Sequence, residues 1–408
     1  MRAASPLRPG QPQGDAAEDA SLGAAAAWGM PDYVFRPAIV RTGSGPKQVG
    51  DLIVVAGRIG LMLQVKSRVE PTTDVAKEER WVRKQVTKAV RQANGSLRTL
   101  QRLSPSHTNL RERALEISYE AVERWITVVI VDHERSSLGL DLRSSLADST
   151  HQAVALTRRD WEFLWEQLKS GVAVAQYVTR VANEDLLSGL GLEAARYYRL
   201  AAEDALAPAR SPMDASGFYG GSGVLAGPAL PTEPAGHESL AQLAVTRLLL
   251  EDIAISDLNG PVGASGESLE WMRLRMLWAF DSLPIHARER IGADVRTWLS
   301  DVASAEPGAF CWRARRIVGK EDQPLIGIAV ASSGVSDLAA VFQRWAMLAH
   351  HEAWGRGNWE RPETVALLLT PNPGNDPAWE TTCLFIQGQS TMSSDEAAAL
   401  RAFFQRGT

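Results

Sequence analysis

The sequence predicts a mixed α/β protein, and three observations carry that expectation. Short β-branched, apolar runs bounded by glycine and proline recur between residues 33 and 68, a long amphipathic segment follows, and the last hundred residues again alternate strand and helix patterns. The chain has 408 residues, enough for about two or three domains, and 45% hydrophobic content can fill a core in each, which excludes a disordered or fibrous chain. No apolar stretch reaches the roughly 18–20 residues that a spanning helix needs, so no integral membrane protein is expected. The opening MRAASPLRPGQPQGDAAEDA places prolines and acids where a signal peptide is apolar. Two cysteines, Cys311 and Cys383, are too few for a disulfide framework or a thiolate metal cluster. The expectation is a soluble, cytoplasmic protein.

Residues 1–14 are rich in Pro, Gly and Gln and read as a disordered tail. Asp15–Trp28 is an alanine-rich helix with Asp15 as its N-cap and Gly29 as its stop. Extended segments are expected at Tyr33–Arg41, Asp51–Ala56 and Ile59–Arg68, the first two separated by the loop TGSGPKQVG and the last two by a turn at Gly57-Arg58. Val75–Leu103 is the strongest helix, with Val82, Val86, Ala89, Val90, Ala93, Leu97 and Leu100 forming one apolar stripe. Lys77, Arg80, Lys84, Lys88, Arg91, Arg98 and Arg102 fall on the opposite side. Trp125–Val131, WITVVIV, is a buried strand that completes a first region at 15–135. An extension over 136–206 holds a short strand at His151–Leu156, two helical pieces around Gly171 within Arg159–Arg180, and a helix at Glu193–Leu206. Residues 207–236 form a Gly/Pro/Ala-rich loop, and 237–302 a helical region with helices at His237–Ile255, Glu267–Phe280 and His286–Val302. An α/β domain covers 303–408, with strands Trp312–Val318, Leu325–Ala331, Thr364–Leu369 and Thr381–Gln387 and helices at Ser336–Trp354 and from Ser394.

The formal net charge of −5 conceals a split. Through Leu103 there are 16 Lys+Arg against 9 Asp+Glu, or +7, which leaves 27 against 39, or −12, for the remainder. Basic side chains gain by displacing counterions from phosphates, so the N-terminal quarter is a candidate nucleic-acid-binding segment, with a solvated charged helix as the bland alternative. The acidic remainder would repel phosphate and suits a protein partner instead.

Asp51 and the run Gln64-Val65-Lys66 sit at the ends of neighbouring apolar strands. Residues 64 and 66 leave a strand on one face, Val65 on the other, and the Val65 carbonyl stays available as an oxygen ligand. Burying Asp and Lys there is costly unless they pair with each other or with a metal. This pattern, GDLIVV followed by LMLQVKSR, then a long helix and WITVVIV, resembles the PD-(D/E)XK, or restriction-endonuclease-like, nuclease superfamily over residues 15–132. Gln48 and Gln64 depart from its usual acids, the latter making a QxK variant. The resemblance implies an α-β-β-β-α-β core that hydrolyses phosphodiester bonds in DNA or RNA, in defence or repair. It further implies Mg2+ or Mn2+ held by Asp51, the Gln64 side chain and the Val65 carbonyl, with Lys66 orienting the attacking water. Glu18 is the candidate for an additional acid on the preceding helix, where Asp15 and Asp19 are equally near. Lys47, Arg80, Lys84, Lys88 and Arg91 would contact the nucleic acid. The alternatives are a degenerate scaffold that kept the fold, and a module that binds nucleic acid without cutting it.

Weaker signals are set aside. Pro31-Asp32 precedes a segment broken by Pro37, GSGPK lacks phosphate-loop spacing, and His350-His351-Glu352 lacks zinc spacing and reads as a solvated helical face. Trp161 and Trp165 read as core, while Trp81 could serve as core or as a base-stacking platform.

Overall fold

The chain divides into two units, Met1–Pro234 and Ala235–Thr408. The computed structural model describes residues 4–42, 45–133, 139–183, 189–206, 230–256, 268–306, 311–317, 323–332, 337–355, 362–372, 374 and 377–406. Most of the expected loop at 207–236 lies outside these residues.

In the first unit, α1 spans Gln13–Gly29 and starts behind Pro12 with no side-chain cap, so Asp15 is a first-turn residue and not the expected N-cap. The segment before it is not a free tail: the Ser5 N–H donates to Glu162 at 2.6 Å, and Arg158 donates to the Ser5 carbonyl at 2.8 Å. Pro37 splits the first expected strand. Val34–Arg36 (β1) stays in the main sheet, whereas Ile39–Thr42 (β2) turns away and pairs with Gly45–Gln48 (β3), making a hairpin where a loop was expected. Leu52–Ala56 (β4) and Ile59–Ser67 (β5) are fully buried over the apolar stretch Ile59–Val65 and Leu52–Ala56, as their continuous apolar runs require.

Helix α2, Val75–Arg102, is N-capped by Asp74 and runs from β5 toward Ser106–Asn109 (β6) and Ala114–Glu116 (β7), two short strands with no sequence signal of their own. Arg124–Asp132 (β8), Leu140–Asp141 (β9), a single helical turn at Arg143–Leu146 (α3) and Gln152–Thr157 (β10) follow. Arg158–Leu168 (α4) and Gly171–Ala182 (α5) do not break at Gly171. The break is at Lys169-Ser170, because the Ser170 hydroxyl caps α5 and Gly171 is its first residue. Gly189–Leu190 (β11) and Glu193–Leu206 (α6) complete the unit.

The main sheet has the order β10-β8-β5-β4-β1-β6-β7, with β10, β8 and β5 parallel and every other neighbour antiparallel. The expected boundary at 135 therefore falls between hydrogen-bonded neighbours β8 and β10 of one sheet. Helix α2 makes the crossover from β5 to the parallel β8, and its stripe of Val82, Val86, Ala89 and Val90 packs on Val129 and Val131.

The second unit holds α7 (His237–Ile255), α8 (Leu269–Asp281), α9 (Ile285–Ala303), β12 (Trp312–Ile317), β13 (Leu325–Ala331), α10 (Leu338–Trp354), β14 (Glu363–Pro371), β15 (Trp379–Gln387) and α11 (Ser394–Arg406). Its four strands lie in the order β12-β13-β14-β15, with only β13 and β14 parallel. Phe342, Trp345 and Ala346 of α10 cover Ala329, Ala331, Ala366 and Leu368. Gly292 lets α9 lie against α7, since a Cβ there would collide with the Gln242 carbonyl. His350 is not on a solvated face: it is buried between Thr364 Oγ1 and the Gly388 carbonyl, each at 2.8 Å. No described helix is long and apolar enough to cross a membrane.

Candidate active site

Strand β4 ends its ladder at Leu52, which faces Leu63 of β5. Just before it, Gly50 sits at φ 80° and donates its N–H to Ser96 Oγ of α2 at 2.9 Å, fixing the approach of the chain. The Asp51 N–H donates to the Leu63 carbonyl at 3.3 Å, so the backbone groups of odd-numbered β5 residues face β4. By the period of two, Val65 points its N–H and C=O the same way, past the point where β4 has ended. Asp51 fills that gap: its Oδ2 accepts from the Val65 N–H at 2.9 Å. Lys66 Nζ donates to the Val65 carbonyl at 2.9 Å and to Asp51 Oδ2 at 3.3 Å. One ammonium thus lies between two oxygens at the mouth of the strand pair, with side-chain exposures of 14% for Lys66 and 19% for Asp51.

Glu18, half-buried on α1, lies near enough to this pair to feel both charges. Burial, and after it the negative charge of Asp51, pushes its carboxyl up to about 7, against the opposing pull of Lys66. Asp15 and Asp19 are exposed, and Asp19 accepts from Gln11 at 3.1 Å, so of the three acids Glu18 is the one turned to the site. Gln64 lies two residues before Lys66 and so leaves β5 on the same face. Gln64 is 2% exposed, and its Oε1 accepts no hydrogen bond. Asp32 is elsewhere engaged, buried and bound by Arg111 at 2.6 Å and Arg113 at 3.1 Å, which accounts for it as a structural ion pair.

The basic face of α2 is solvent-exposed at Arg80, Lys84, Lys88 and Arg91. Arg91 has a loose exposed pair with Asp148 at 3.6 Å, whereas Arg80, Lys84 and Lys88 have no ion-pair partner among the described residues. Lys47 stands on β3 opposite Val40, and its side chain lies outside the described residues.

A second cluster, absent from the sequence reading, braces the end of β5. Glu78 in the first turn of α2 accepts from Arg68 at 2.9 and 3.1 Å, from the Thr72 N–H and hydroxyl, and from His133 Nε2 at 2.8 Å. The Arg68 guanidinium, chiefly, with the Thr72 N–H, holds the Glu78 carboxyl well below the usual carboxylate range. Trp81 packs beside His133 and under Arg68, so it is part of this bracing and not a free platform. Nothing in the local pattern separates Glu78 from Glu79; only the long-range partners do.

The oxygens at the mouth are the Asp51 carboxylate and the Val65 carbonyl, with the Glu18 carboxylate within range of their charge and the buried Gln64 Oε1 on the strand between. Mg2+ takes hard oxygen ligands, commonly one or two carboxylates, and keeps water and substrate phosphate for the rest. Among the described residues no three His, Cys, Asp or Glu side chains gather around one point, so an ion here would draw on the Val65 carbonyl as well. The residues fit a hydrated Mg2+ or Mn2+ in donor type, with water and substrate left to fill most of the coordination shell. No family model, curated protein or solved structure matches the chain.

Proposed function

We propose that the first unit is a metal-dependent nuclease of the PD-(D/E)XK type that hydrolyses phosphodiester bonds in DNA. The observation that carries this reading is the convergence of Asp51, Lys66, the Val65 carbonyl and Glu18 at one end of the β4/β5 pair. The order α1-β1-β4-β5-α2-β8, with β8 parallel to β5, supports it as the arrangement the resemblance implies. The exposed cations of α2 supply the charge that a phosphate-bearing substrate needs.

A bound divalent ion would neutralise charge on the phosphoryl oxygens and lower the pKa of a coordinated water. Asp51, Glu18 and the Val65 carbonyl would hold it, with the Gln64 amide oxygen as a neutral fourth donor. Lys66 positions the attacking water and stabilises negative charge as it develops on the scissile phosphate. The strand pair fixes Asp51 and the Val65 carbonyl on rigid backbone, so that Lys66 is the group that would have to move when an ion and substrate bind.

The test is incubation with plasmid, linear and single-stranded DNA in Mg2+ or Mn2+. Asp51→Ala and Lys66→Ala, each folded by circular dichroism, are expected to lose at least about 100-fold in rate, and chelation of the ion to stop cleavage. Cleavage that survives both substitutions sinks the proposal. The neutral Gln64 and the direct Asp51–Lys66 pair also favour a second reading, a degenerate nuclease fold that only binds nucleic acid. Salt-dependent binding without cleavage in either metal would select it.

A further inference from the structure

Among the described residues the β2/β3 hairpin is not part of the main sheet, and its two strands pair only with each other. It is inserted between β1 and β4, and the Val49 N–H closes its base by donating to the Ala38 carbonyl at 3.0 Å. The C-terminal end of β1, the start of β4 and the end of β5 all lie at one end of the sheet, because Phe35 faces Ile53 and Leu52 faces Leu63. The ribbon therefore rises from the sheet end that holds Asp51 and Lys66, and its second strand runs straight into Asp51 through Val49-Gly50.

Its composition suits an anionic partner. Arg36 at its root and Arg41 on β2 are exposed, and neither has an ion-pair partner among the described residues. Ile39 is 74% exposed, an aliphatic side chain left in water at the base of a free ribbon. Nor, among the described residues, do the outer edges of the two strands have a neighbouring strand, an arrangement proteins normally blunt or cover.

We propose that this ribbon is a substrate arm that enters the major groove of duplex DNA beside the scissile phosphate. The proposal rests on the nuclease reading only for what the site does next. Strands of this length reach about 13 Å, and a two-stranded ribbon fits the major groove, which is about 12 Å wide and 8.5 Å deep. Arg36 and Arg41 contact phosphates across the groove edges, and Ile39 gains apolar contact of the kind a thymine methyl offers. Such docking would bring one strand of the duplex to Asp51 without any movement of the sheet.

The experiment measures binding of the full chain to a 30-base-pair duplex and to single-stranded DNA of the same sequence, without divalent ion and over a series of salt concentrations. The variants are the double substitution Arg36→Glu/Arg41→Glu and, separately, Ile39→Asp, with folding checked by circular dichroism and thermal melting. The expected result is at least a tenfold loss of duplex affinity in each variant. Replacing both arginines is also expected to make the salt slope shallower by about two. The single-stranded affinity is expected to fall much less. Unchanged duplex affinity, equal losses for both DNA forms, or a wild-type protein that does not bind the duplex would each overturn the arm. Its failure is distinct from that of the nuclease reading. A protein that binds duplex through the ribbon but cuts nothing keeps the arm and loses the nuclease; one that cuts, with the variants binding as before, does the reverse.

Discussion

At Lys66 the ammonium occupies the space between the Val65 carbonyl and Asp51, the same oxygens that would hold a divalent ion. A cation arriving there competes with the lysine, which must swing aside before it can act on water. Lys66→Ala is therefore expected to bind Mn2+ more tightly than wild type while losing cleavage, whereas Asp51→Ala loses both, as titration calorimetry with Mn2+ would register. A lysine substitution that weakens the metal would contradict this division of roles. His350 gives a second prediction, in the other unit. Its Nε2–H donates to the Gly388 carbonyl, so Nδ1 accepts from the Thr364 hydroxyl and the ring is neutral; burial holds its pKa below the usual 6.5. With the folded value depressed, the unfolded chain takes up a proton that the folded one resists, and stability falls as pH drops below about 6.5. His350→Gln should show a flatter acid limb in urea midpoints measured between pH 7 and 5.

Helix α2 carries a packed apolar stripe and a row of exposed cations on opposite faces. Leu97→Ala is expected to cost about 2–5 kcal/mol by opening a cavity in a fully buried site, read from denaturant unfolding. Lys84→Ala with Lys88→Ala should shift stability by no more than about 0.5 kcal/mol, yet weaken duplex binding and its salt slope. This helix was legible in the sequence because 28 residues of period 3.6 leave little ambiguity. Asp51 and Lys66 were legible because each is a polar residue at the end of an apolar run. The β2/β3 pairing was legible only in its first strand, which falls within the expected extended segment Tyr33–Arg41; β3, four residues containing Pro46, carries no alternation. The bracing by Glu78 was not legible, since its partner His133 lies 55 residues away and makes its contact only in the fold. Glu18 stood among three interchangeable acids until the docking of α1 turned one of them inward.

Over the whole molecule, the residues of the proposed chemistry all belong to the first unit, and most of the acidic excess follows them in the chain. The second unit has its own sheet and its own tight helix pair at Gly292. Gly292→Ala should overpack that crossing at a cost of about 1–3 kcal/mol. Hydrogen exchange should show lost protection within residues 235–408 and unchanged protection around β4 and β5. The turn at Gly57-Arg58 has a kinetic consequence. It makes β4 and β5 a local hairpin, a structure that forms in about 1–10 μs, whereas β8 must wait for the crossover through α2. On that ground Asp51, Val65 and Lys66 are expected to come together before most of the core forms, and Glu18 to join them when α1 docks. Val54→Ala should slow folding with a φ-value well above that of Ala17→Gly, which would make the end of the sheet that carries Asp51 among the first parts to acquire its shape.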